Sequence, residues 1–113
     1  MVMTNYIPDR GDIVWLDFAP QTGHEQQGKR PAVVLSPQTY NQKSKLALLC
    51  PITTKQKGYP FEVQIESEKV KGVVLSDQLK SLDWQQRGAV FIDKASEAEM
   101  NEIIKKLSIL IFL

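Results

Sequence analysis

The chain has 113 residues, 42% hydrophobic and 24% charged, which suits one globular domain spanning 1–113 and leaves too little chain for two cores. With 14 Lys+Arg against 13 Asp+Glu, the net charge is only +1, so no global field marks a polyanion binder and any such site must concentrate its cations locally. The single cysteine excludes an internal disulfide. No apolar leader opens Met1–Arg10, and the longest apolar run, Ile109–Leu113, is too short to span a bilayer, so a cytoplasmic, membrane-free protein is expected.

In chain order, Asp9-Arg10-Gly11-Asp12 is a turn signal. Ile13–Phe18 follows as a β-branched and aromatic strand covered on both faces. Pro20–Lys29 is a polar loop with glycines at 23 and 28, and it delivers Glu25, Lys29 and Arg30 to the start of a short buried strand, Ala32–Ser36. Pro31 lacks a backbone donor and suits a strand start, and it biases Arg30 towards an extended backbone. Pro37–Lys45 reads as a loop or one helical turn. Leu46–Ile52 is a third apolar strand ending at Thr53-Thr54, and Lys55–Pro60 is a basic loop. Phe61–Glu66 alternates apolar and polar residues, so one face is wet. Gly72–Ser76 is a fifth strand, Asp77–Ser81 leaves it, and Gly88–Asp93 is the last.

Ser96-Glu97-Ala98-Glu99 matches a capping box, and Met100, Ile103, Ile104, Leu107, Leu110 and Ile111 then form one helical stripe, with Lys105 and Lys106 placed near the helix C-terminus. Short strands in succession with one terminal helix predict a mainly β fold, a small curved or barrel-like sheet.

The usual catalytic inventories are absent. One histidine, His24, permits no histidine pair, and Cys50 lies in an apolar run where a thiol is poorly ionised. No cysteine–histidine cluster has zinc-ligand spacing, and no P-loop or dinucleotide-binding glycine pattern occurs. Neither a metal nor a cofactor is expected. Polar residues at strand ends remain: Arg30, Thr53, Thr54, Asp77, Gln78 and Lys80. A surface ion pair between Arg30 and Glu25, and threonines that satisfy turn amides, are the purely structural alternatives.

Five stretches carry a resemblance: Arg10–Trp15, Glu25–Ser36, Pro51–Thr54, Lys57–Val63 and Gly72–Ser81. In this order they resemble the MazF/PemK family of toxin endoribonucleases from type II toxin–antitoxin systems. The resemblance implies an SH3-like β-barrel, a homodimer and metal-independent cleavage of single-stranded RNA at short motifs. It also implies a cognate antitoxin whose acidic, disordered tail covers the site. By family position, Arg30, Thr53 and Glu25 would be catalytic. Phe18, Lys29, Asn41, Thr54, Lys57, Gln78, Lys80 and Ser81 would bind RNA.

The chemistry fits those residue types. RNA carries its own nucleophile, the 2′-hydroxyl, so the protein need only orient, move protons and stabilise charge. Arg30 would clamp the phosphate and Thr53 donate to one of its oxygens. Glu25 would serve as the base or orient Arg30, and the general acid is unassigned. A loop over 22–29 would act as a lid or simply connect. Two other classes compete. A gyrase-poisoning toxin of similar fold, as in the CcdB family, would carry a tryptophan near the C-terminus, whereas the last one here is Trp84. An SH3-like adaptor would need a clustered aromatic groove.

Overall fold

Three strands with period-two side chains form the trunk of the molecule: β1 (Asp12–Asp17), β2 (Lys29–Val34) and β3 (Leu46–Thr53). The structure, a computed structural model, describes residues 5–18 and 28–113. β2 pairs antiparallel with both neighbours, Ile13 opposite Val33 on one side and Val33 opposite Cys50 on the other. Alternation sends successive side chains to opposite faces, and here both faces are buried. Ile13, Val33, Cys50 and Ile52 enter one core, and Val14, Leu16, Ala32, Val34, Ala47 and Leu49 enter a second. The expectation of a first strand covered on both faces is met, apart from Trp15, which is 42% exposed.

Four further strands complete the sheet among the described residues: β4 (Glu62–Glu66), β5 (Lys71–Leu75), β6 (Lys80–Asp83) and β7 (Val90–Lys94). The strand order is β4-β5-β3-β2-β1-β7, with β6 also on β3, which makes a curled, half-open barrel. β3 is the shared element. Its far edge pairs with β6 at Leu46–Leu49 and with β5 at Ile52–Thr53. Pro51 falls in the interval between those partners, so the proline interrupts neither ladder.

Among the described residues two helices cover the sheet: α1 (Gln38–Ser44) and α2 (Glu97–Phe112). The capping box forms as the sequence predicts: Ser96 Oγ accepts from Glu99 N–H at 3.0 Å, and Glu99 Oε1 accepts from Ser96 N–H at 2.9 Å. Glu99 Oε2 also accepts the Glu66 amide at 2.9 Å, which ties the helix start to β4. Met100, Ile103 and Leu107 seal the first core. The predicted stripe extends further than the burial does, because α2 runs past the sheet and leaves Leu110 and Ile111 exposed. Lys105 and Lys106 therefore sit mid-helix rather than at its end. Lys106 instead donates to the Glu62 carbonyl at 2.9 Å.

Other boundaries differ from expectation for tertiary reasons. β2 begins at Lys29 because β1 pairs with it there. The segment at 37–45 is a two-turn helix, stabilised by the buried Asn41. β6 was not visible in the sequence, since Lys80-Ser81-Leu82-Asp83 acquires strand geometry only by pairing with β3.

The core makes a pH prediction. Burial, helped by the Asp77 charge, pushes the Cys50 thiol from 9.0 up to about 12. Burial and then the Asp12 carboxylate push the Tyr6 phenol upwards as well. Above pH 9 the unfolded chain loses protons that the folded chain retains, so stability is complete below that pH and falls as pH rises towards 12. Thermal unfolding followed by circular dichroism should show that decline, and a Cys50→Ala variant should show less of it.

Candidate functional site

The register of the trunk strands builds the site. Arg30 is paired with Leu16, whose side chain belongs to the second core, so Arg30 lies on that face of the sheet. The β2–β3 ladder runs from Val34–Leu49 to Ala32–Pro51, and beyond it alternation from Ala32 to Arg30 in β2 and from Leu49 through Pro51 to Thr53 in β3 puts both side chains on the second-core face. Residues directly opposite in an antiparallel pair share a face. Phe18, whose amide donates to the Gly28 carbonyl at 2.7 Å, continues this face and packs half-buried against the second core. The sequence-predicted pair Arg30 and Thr53 is thus placed on one side of one sheet margin.

Both groups are chemically available. Arg30 is exposed, and among the described residues its guanidinium makes no ion pair or hydrogen bond. Thr53 Oγ1 accepts the Lys55 amide at 3.1 Å, which leaves its own O–H proton free to donate. Gly72 makes the close packing beneath possible: a Cβ there would come within 2.6 Å of the Thr53 carbonyl oxygen. A small residue in β5 therefore lets that strand close onto the end of β3.

The loop leaving Thr53 is ordered by a carboxylate. Glu62 accepts the Lys57 amide at 3.0 Å and the Gly58 amide at 3.0 Å, one on each oxygen. Thr54, Lys55 and Lys57 are exposed on this loop. On the other side of β3, Lys80 opens β6 opposite Leu49, with Ser81 next to it opposite Leu48. Gln78 is exposed in the turn before them, its amide held by the Leu75 carbonyl at 3.0 Å. Arg87 is an addition the sequence did not suggest. Its guanidinium donates to the Asp17 carbonyl at 3.0 Å, and its own carbonyl accepts the Asp17 amide at 3.0 Å, which holds the end of β1 beside Phe18. Gln85-Gln86-Arg87-Gly88 reads as an ordinary polar turn, so no local signal marks it.

Three expected RNA-binding residues, Asn41, Lys29 and Ser81, are placed elsewhere; Ser81 pairs with Leu48 and so alternates away from the face that carries Arg30. Asn41 is fully buried: its side chain accepts from Ser36 Oγ and donates to the Pro8 carbonyl at 2.8 Å and the Ser36 carbonyl at 3.0 Å. Its own carbonyl accepts from Trp84 Nε1 at 2.9 Å. With every polar group satisfied inside, Asn41 has nothing to offer a ligand and leaves the candidate set. Lys29, the neighbour of Arg30, alternates to the opposite face, where its register partner is Asp17. Glu25, His24 and residues 22–27 of the proposed lid over 22–29 lie outside the described residues. Cys50 is fully buried with its thiol protonated, so a cysteine–histidine nucleophile is excluded. Among the described residues no three of His, Cys, Asp and Glu converge as a metal-holding group. No helix of the described residues is long and apolar enough to cross a membrane.

Known proteins similar in sequence and in structure cover nearly the whole chain. The profile of a family described as PemK-like, MazF-like toxin of type II toxin–antitoxin system matches residues 9–111. The endoribonuclease toxin MazF of Escherichia coli K12 is 46% identical over 110 residues, covering 97% of this chain and 99% of that protein. The crystal structure of MazF from Deinococcus radiodurans superposes with a TM-score of 0.87 at 47% identity, covering 96% of this chain and 100% of that one. A MazE–MazF complex from the same organism gives 0.85 at 44% identity, covering 96% and 99%.

The reassignment of Asn41 makes a prediction. Asn41→Ala strands buried groups of Ser36 and Pro8, and should cost about 2–3 kcal/mol in urea unfolding. A residue that only read RNA would leave the unfolding midpoint unchanged.

Proposed function

The chain belongs to the PemK-like, MazF-like toxins of type II toxin–antitoxin systems, and from that premise we propose that it is an endoribonuclease cutting single-stranded RNA. The observation that carries the reading is the shared face of Arg30 and Thr53 at the open end of the β2–β3 pair. In the proposed reaction the ribose 2′-oxygen attacks the adjacent phosphorus. The new 2′-O–P bond forms as the P–O5′ bond breaks, leaving a cyclic phosphate and a 5′-hydroxyl. A base takes the 2′ proton, and the departing 5′-oxygen receives one.

Arg30 neutralises charge that builds on the phosphoryl oxygens, and the free Thr53 O–H donates to one of them. Glu25 is retained as the base or as the group that orients Arg30. No ion is required to generate the nucleophile, because the substrate supplies it. Thr54 and Lys57 follow the end of β3, Gln78 and Lys80 lie along its far edge with Lys80 opposite Leu49, and these would contact the strand, with Phe18 offering a half-exposed ring for stacking.

The proposal extends to assembly. The protein acts in the cytoplasm as a homodimer, and a cognate antitoxin silences it. The related complex from Deinococcus radiodurans contains MazE. A site of exposed lysines and one arginine suits an acidic, flexible peptide that competes with RNA. A gyrase-poisoning reading gains no support, since the matching relatives are named endoribonucleases.

Purified protein should cleave single-stranded RNA in excess chelator, and Arg30→Ala should lose about 3 kcal/mol of transition-state stabilisation with an unchanged melting temperature. Intact RNA across varied sequences, or activity that depends on a divalent ion, would reject the proposal. One deoxynucleotide at the cut position should abolish scission there.

A further inference from the structure

We propose that Glu62 is a positioning residue for RNA binding, acting through Lys57; the inference rests on the endoribonuclease reading above. Glu62 is well anchored. It opens β4 opposite Leu75, its amide donates to the Tyr59 carbonyl at 3.2 Å, and its carbonyl accepts from Lys106 Nζ at 2.9 Å. From that fixed base its two carboxylate oxygens hold two successive loop amides, Lys57 and Gly58, both at 3.0 Å. Carboxylate-to-amide bonds are stronger than neutral ones.

The rest of the loop has weaker support. At its start Thr53 Oγ1 takes the Lys55 amide, and the Gln56 side chain meets Gln64 at 3.4 Å. Gly58 has φ +79°, a left-handed conformation, with open space where a Cβ would sit. Its glycine is therefore needed for the turn that presents two successive amides to Glu62, and not for packing.

The carboxylate takes backbone amides and no lysine head group. Among the described residues the Lys55 and Lys57 ammonium groups make no ion pair within 4.0 Å. Glu62 therefore fixes the backbone from which Lys57 leaves the loop that follows Thr53, without neutralising the lysine. A bystander glutamate and a positioning one differ in sign. Removing a bystander anion beside a polyanion's path strengthens binding. Removing a positioning anion releases the loop and weakens it.

The test is steady-state cleavage of single-stranded RNA by the full chain as wild type, Glu62→Ala, Glu62→Gln, Lys57→Ala and the double variant Lys57→Ala/Glu62→Ala. Glu62→Ala should raise KM about tenfold and hold kcat within about twofold. Glu62→Gln, which keeps one acceptor, should fall between. The slope of log KM against log salt should drop by about 0.7 in both Glu62→Ala and Lys57→Ala, the signature of one lost phosphate contact. On the Lys57→Ala background, Glu62→Ala should add less than about twofold. An unchanged or lowered KM in both Glu62 variants, full additivity with Lys57→Ala, or a loss confined to kcat would overturn the inference. If the wild type cuts no RNA, the endoribonuclease reading fails and this inference falls with it.

Discussion

A slip of one residue between β2 and β3 would carry Arg30 to the far side of the sheet from Thr53. Two cores prevent that slip. β1, β2 and β3 are buried on both faces, with Val33 and Cys50 on one side and Ala32, Val34 and Leu49 on the other, all at 0% exposure. Shifting the register would exchange the occupants of both cores at once. The margin that carries Arg30 and Thr53 thus inherits its geometry from hydrophobic burial a few residues up the strands.

Charge is distributed on the same logic. The described carboxylates are engaged mostly with backbone amides: Glu62 with two loop N–H groups, Glu99 with the amides of Glu66 and Ser96, and Asp83 with that of Gln86. Only two ion pairs occur among the described residues, Lys94–Asp12 and Lys106–Glu102, and neither lies at the end of β3. A chain with net charge +1 therefore still presents around the end of β3 lysines and an arginine that have no ion partner among the described residues. Local concentration of positive charge, not its total, is what an RNA backbone would meet.

Much of this was legible from local pattern. The β-branched and aromatic run Ile13–Phe18 and the alternation over Phe61–Glu66 announced strands, and the Ser96–Glu99 capping box announced α2. Asn41 shows where such reading ends. Its position in a polar run between two apolar strands suggests an exposed loop residue, whereas Ser36, Pro8 and Trp84 close around it from three other parts of the chain. β6 was hidden for a related reason, since its four residues become a strand through pairing with Leu46–Leu49. Lys105 and Lys106 looked like helix-terminal charges only because the apolar residues that follow do not reveal how far α2 outruns the sheet.

By itself the sequence determined the identity of every described strand but β6, the start of the terminal helix, the burial of Cys50 and the residue types at the strand ends. These follow from periodicity, capping chemistry and composition over a few neighbouring positions. The tertiary structure alone decided which strand ends meet, that Arg30 and Lys29 take opposite faces, that Asn41 is interior, and that Glu62 reaches back to the loop before it. Those outcomes depend on register and packing between distant segments, and a local pattern cannot encode the partner that a segment will find.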